Sequence, residues 1–131
     1  LERFGDVYVD GAHNPHAARA LARALPPILD GRPLHLVFGA LEDKDARAML
    51  DALAPLARSI HYCAPDSPRA IPPARLAQIR PGEVHQSVAS ALAAARRLPG
   101  AVLCCGSLYL AGEARALLLG ETNSPMPAER L

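Results

Sequence analysis

Tryptophan is absent, and aromatic residues make up only 4% of the chain, so a core has to be built from Leu, Val, Ile and Ala. Lysine is nearly absent too: Lys44 stands alone beside 13 arginines. An excess of either charge is missing. Fourteen basic and 13 acidic residues leave a formal net charge of +1, which gives no reason to expect nucleic acid or an anionic membrane as partner. Cysteine is sparse. Cys63, Cys104 and Cys105 are odd in number and show no C-x-x-C spacing, which argues against a zinc site or a disulfide framework. All three lie in apolar runs and read as buried free thiols of a reducing, cytoplasmic compartment. No apolar run approaches the ~20 residues of a membrane helix. The opening Leu-Glu-Arg-Phe has no apolar signal core and no initiator Met. The expectation is a domain cut from a longer protein.

The standard devices for nucleotides and nucleophilic catalysis are missing as well. No G-x-G-x-x-G follows any strand, and no G-x-x-x-x-G-K-[ST] loop is present to cradle a triphosphate. No G-x-S-x-G elbow is present either. His13 and His16 are three residues apart at a helix start, but no third ligand is spaced to join them, so no metal is assigned there. His35, His61 and His85 lie in or beside strands and read as packed or surface residues.

What is present is a regular alternation. Val7 to Val9 reads as a buried strand, and Asp10-Gly11 ends it. Asn14 is an N-cap and Pro15 a first helical residue, opening a helix to about 25 that Pro26-Pro27 should end. Residues 34–38 form a second strand. Asp43 caps a helix over 44–58, bent by Pro55. Strand 59–63, a Pro-rich loop 64–73 and a short helix 73–79 follow. A weak strand at 83–86 leads to Ser87, the cap of helix 88–98. Ala101 to Cys105 is the most apolar strand, and helix 108–119 closes at Gly120. Residues 1–120 read as one domain and 121–131 as a tail. Strands separated by helices of this length form βαβ units. The fold class is therefore α/β, a Rossmann-like three-layer sandwich with a mostly parallel sheet.

In a parallel sheet the strand ends share one edge, where ligands bind. That edge gathers Asp10, Gly11, His13 and Asn14, then Gly39, Glu42, Asp43 and Lys44, then Gly106 and Ser107. Helix N-termini there favour anions.

The contiguous run Asp10-Gly11-Ala12-His13-Asn14-Pro15 resembles the motif that opens the C-terminal domain of the folylpolyglutamate synthase/dihydrofolate synthase family, within the Mur ligase superfamily. Leu-Glu-Asp-Lys44-Asp and Cys-Gly-Ser107-Leu-Tyr agree with it in order, so the resemblance covers nearly the whole chain. It implies an ATP-dependent ligase that joins L-glutamate to folates, and in some members to dihydropteroate, through an acyl phosphate. It implies that a P-loop domain, absent from this sequence, carries the triphosphate and most Mg2+ ligands, so this chain alone is inactive. Asp10 and His13 would reach the nucleotide. His13 would be the catalytic residue, near the incoming glutamate, and Lys44 and Ser107 would help to hold that substrate. The family's further ATP-contacting arginine lies upstream of this start, and Arg3 is not assigned its role.

The alternatives are a C-terminal domain of another Mur-type ligase and a receiver-like signalling module. The second should show paired acids after the first strand and a Lys after the last, where this chain has Asp10 alone and Ser107. A plain interaction domain is the residual reading.

Overall fold

The computed structural model describes residues 1–122 of the 131. A six-stranded sheet has the order β1-β2-β6-β3-β4-β5. Its strands are β1 (Glu2–Phe4), β2 (Val7–Val9), β3 (Leu34–Phe38), β4 (Ala57–Tyr62), β5 (Glu83–Val84) and β6 (Ala101–Cys105). Every pairing is parallel except that of β1 with β2. Helices α1 (Pro15–Leu29), α2 (Ala46–Leu53) and α3 (Pro73–Ile79) cover one face, and α4 (Val88–Arg96) and α5 (Leu108–Thr122) the other.

The period of two along each strand decides which side chain meets which layer. Tyr8, Leu34, Leu36, Phe38, Leu103 and Cys105 pack under Leu21, Leu25, Met49, Leu50 and Leu76 of the first layer. Val7, Val9, Val37, Val102 and Cys104 pack under Val88, Leu92, Leu110, Ala114 and Leu118 of the second. Both faces of β3 and β6 are buried, as expected for strands that read as unbroken apolar runs. The predicted three-layer, mostly parallel architecture is the one observed.

Local differences have local causes. β1 escaped the sequence reading. Gly5, at φ +63°, and Asp6 form a two-residue turn that folds Glu2–Phe4 back on β2. α1 runs through Pro26 and Pro27 to Leu29. The two prolines sit in its final turn on the solvent side, while Leu25 and Leu29 keep the buried stripe going. Asp30, in the left-handed region at φ 50°, closes the helix by donating its N–H to Pro26 O.

The second helix is shorter than the predicted 44–58. Asp45, not Asp43, is its N-cap, accepting from Ala48 N at 3.0 Å. At the far end, Pro55 brings neither an N–H nor room for another α turn. A 3-10 turn, Ala54–Leu56, replaces it, and β4 starts at Ala57. The fourth-strand signal at 83–86 shrinks to two residues. Ser87 caps α4 through a reciprocal pair with Ser90, as a capping residue should. Gly120 lies inside α5, which continues to Thr122, so the expected tail loses its first two residues to the helix. The remainder, 123–131, lies outside the described residues.

Burial pushes the Cys63 and Cys104 thiols up to about 12, and that of Cys105 well above the usual range. A thiol reagent should therefore titrate no cysteine in the native chain at pH 8 and all three in denaturant. Rapid labelling of any of them under native conditions would show that the sheet is not packed this way.

Candidate functional site

Three strand ends meet at one edge of the sheet, and backbone rather than side chains holds them together. After β2, Asp10 N donates to Cys104 O at 3.0 Å. After β6, Gly106 N donates to Ala12 O at 2.9 Å. After β3, Ile71 N donates to Ala40 O at 2.9 Å and Glu42 N to Arg69 O at 2.8 Å, drawing the loop after β4 into the same group. Gly106 has φ +111°, and a Cβ there would lie 2.3 Å from Gly39 O. Glycine alone fits both the conformation and the space.

β6 lies between β2 and β3 in the sheet. The chain leaves β2 and β3 for one face and β6 for the other. The connections therefore diverge here, and a crevice opens at the C-terminal ends of the strands. It holds a cavity of about 170 Å³, lined by His13, Leu41, Asp43, Lys44, Arg69 and the start of α5 from Gly106 to Tyr109. Three of the four residues singled out in the sequence, His13, Lys44 and Ser107, line it together. Asp10 does not.

Asp10 shapes the turn instead. Its Oδ1 accepts from Ala12 N at 2.9 Å. His13 is half-buried, with Nδ1 2.8 Å from Gly11 O. A carbonyl only accepts, so Nδ1 carries the proton, and Nε2 is the ring nitrogen left for a ligand or a proton. Asn14 caps α1 by accepting from Ala17 N at 2.8 Å, which fixes where His13 leaves the loop.

Ser107 is buried. Its Oγ accepts from Tyr109 N at 3.0 Å and Leu110 N at 3.4 Å, so the hydroxyl works as the cap of α5. Lys44 lies in the loop ahead of α2 rather than on a helix surface, because the helix begins two residues later than expected. Its Nζ is 4.0 Å from Asp43 Oδ2, and Arg69 Nη1 is 3.6 Å from the same oxygen.

Arg69 was missed in the sequence. It follows Pro68 in a proline-rich loop with no motif around it. Only the contact of that loop with 40–42 brings it to the cavity. One acid thus stands against two permanent cations, and His13 adds a third basic group. The site suits an anion, carboxylate or phosphate, better than a metal. Leu108 and Tyr109 are 61% and 53% exposed at its rim.

The family model for the Mur ligase glutamate ligase domain matches residues 2–108. A folylpolyglutamate synthase of Lacticaseibacillus casei is 36% identical over 126 residues, covering 92% of this chain and 29% of that protein. The structure of Mycobacterium tuberculosis folylpolyglutamate synthase complexed with ADP superposes with a TM-score of 0.81 at 32% identity, over 86% of this chain and 29% of that one. The bifunctional folylpolyglutamate synthase/dihydrofolate synthase of Yersinia pestis, complexed with AMPPNP and a Mn ion, gives 0.82 at 27% identity, over 91% and 30%. The chain therefore spans under a third of the length of these relatives.

The capping geometry makes a direct demand on Ser107. Ser107→Ala should lower thermal or denaturant stability by about 1 kcal/mol, while Ser107→Gly should cost only a few tenths. Equal stability of all three proteins would mean that the hydroxyl does not cap α5.

Proposed function

This chain belongs to the Mur ligase family, to its glutamate ligase domain, and on that premise we propose that it is the C-terminal part of an ATP-dependent ligase that joins L-glutamate to folates. Dihydropteroate is proposed as a further acceptor. The observation that carries the reading is the convergence of His13, Lys44 and Arg69 on one small cavity where the connections of the sheet diverge.

The chemistry fits these groups. A carboxylate of the acceptor takes the γ-phosphoryl group of ATP, giving an acyl phosphate and ADP. The glutamate amine attacks the acyl carbon, phosphate leaves, and one amine proton must go elsewhere. His13 Nε2 is the acceptor for it, because Gly11 O already holds the proton of Nδ1 in place. Lys44 and Arg69 pair with the carboxylates of glutamate. Ser107 keeps its place in the substrate site through the capped start of α5, whose N–H groups and dipole face the same negative charge. Asp10, which lies beside the cavity rather than in its lining, is proposed to reach the nucleotide while its Oδ1 holds the turn. No protein nucleophile is needed; positioning and charge supply the rate.

The cavity is smaller than the roughly 300–1,000 Å³ of a complete ligand pocket. It suits one end of a nucleotide or an amino acid, with the opposite wall supplied by the P-loop domain of the same protein. The exposed Leu108 and Tyr109 lie where that wall would rest. Asp43 already faces two cations, so the Mg2+ that accompanies ATP draws its ligands from the other domain. Among the described residues no helix is long and apolar enough to cross a membrane. Separately, the three buried free thiols support a reducing, cytoplasmic setting.

In the full-length ligase, His13→Ala should lower turnover roughly 10²–10⁴-fold with little change in melting temperature. Equal losses of stability and activity would assign His13 a structural role. Arg69→Ala and Lys44→Ala should raise the KM for glutamate while leaving that for ATP nearly unchanged. An unaltered glutamate dependence would remove both from the substrate site.

A further inference from the structure

A second group of polar side chains lies away from the cavity, on the α4 face of the sheet. His35 and Ser59 are register partners on β3 and β4, and His61 follows Ser59 on the same face. Glu83 is the register partner of His61 on β5, and His85 lies two residues further along that extended segment. His35 and His61 are 3% and 1% exposed, so both rings must be satisfied from within the protein.

The hydrogen bonds assign their protons. His35 Nε2 is 3.0 Å from Pro99 O, a pure acceptor, and therefore donates to it. In a neutral ring Nδ1 is then an acceptor, and at 2.7 Å it takes the hydroxyl proton of Ser59. Ser59 Oγ in turn accepts from His61 Nε2 at 2.9 Å. Nδ1 of His61 is thus left with its lone pair outward, held in that tautomer by a relay that begins at a backbone carbonyl.

That lone pair meets two further Lewis bases. His85 Nε2 is 3.1 Å away and the Glu83 carboxylate 3.5 Å. The three ligand atoms lie within 4.8 Å of one another. Ligands of a tetrahedral ion with bonds of 2.0–2.1 Å stand about 3.3 Å apart, between the two shorter separations here. His61 is rigid and buried, whereas Glu83 is exposed and His85 half-exposed, so the outer two can turn to complete a coordination sphere. The bond from His61 Nε2 to Ser59 occupies the far ring nitrogen, the place where metal-binding histidines have an outer-shell acceptor, here a hydroxyl.

We infer that His61 Nδ1, His85 Nε2 and the Glu83 carboxylate form a site for a divalent transition ion of the Zn2+ type, with water in the fourth position. Two imidazoles and a carboxylate favour such an ion over Mg2+ or Ca2+. The ion would tie β5, only two residues long and at the sheet edge, to β4. The site is independent of the ligase reading, since it shares no residue with the cavity.

The test is Zn2+ binding by the 131-residue chain, followed by equilibrium dialysis, with Co2+ as a spectroscopic probe. The wild type should take up one ion per chain, melt at a higher temperature with Zn2+, and give the intense visible bands of tetrahedral Co2+. Glu83→Gln and His85→Ala, both at accessible positions, should keep their circular dichroism but lose the ion and the thermal shift. Ser59→Ala should weaken binding roughly 10–100-fold, and His16→Ala should change nothing. A wild type that retains no Zn2+ overturns the proposal. So does retention that Glu83→Gln and His85→Ala leave intact, because the ion would then sit elsewhere.

Discussion

The packing of bare backbone against bare backbone at the C-terminal edge of the sheet governs this molecule. Gly106 approaches Gly39 O so closely that a Cβ would lie 2.3 Å from it, and Gly106 N reaches Ala12 O. A side chain at Gly106 would push the end of β6 away from the end of β3 and open the cavity between them. The His13 loop, the start of α5 and the Lys44 loop are one assembly because of that approach. Gly39 is under similar pressure, since a Cβ there would meet Cys63 O at 2.3 Å and would drive away the loop that brings Arg69.

The cavity carries its charges already in place. Lys44 and Arg69 share Asp43 as their acidic neighbour, which still leaves excess positive charge. His13 contributes one nitrogen because a carbonyl occupies the other. Ser107 and Asn14 spend their side chains on helix N-termini, so their effect on a ligand runs through aligned N–H groups rather than direct contact. In the proposed reaction, such a site would need little rearrangement as negative charge develops, which is where preorganised dipoles act.

Much of this was legible in the sequence. Strand–helix alternation, both-sided burial of β3 and β6, and the caps at Asn14 and Ser87 follow from residue type and spacing. His13, Lys44 and Ser107 could be placed together because parallel strands end on a common edge. Other features depended on tertiary contact. Pro26 and Pro27 signal a helix stop, but the burial of Leu29 carries α1 past them. Asp43 and Asp45 are equivalent caps on paper, and only the turn at 41–44 selects the second. Asp10 looked like a ligand and is first a turn former. Arg69 has no local signature at all. The histidines at 35, 61 and 85 are scattered in sequence, and only strand register lines them up.

The β1–β2 hairpin has one more consequence. Because β1 runs against all the other strands, it brings Glu2 opposite Val9, at the edge that bears the cavity. It covers the edge of β2, whose N–H and C=O groups would otherwise offer a pairing template to another chain, and Arg115 of α5 pins it there through Glu2 at 2.9 Å.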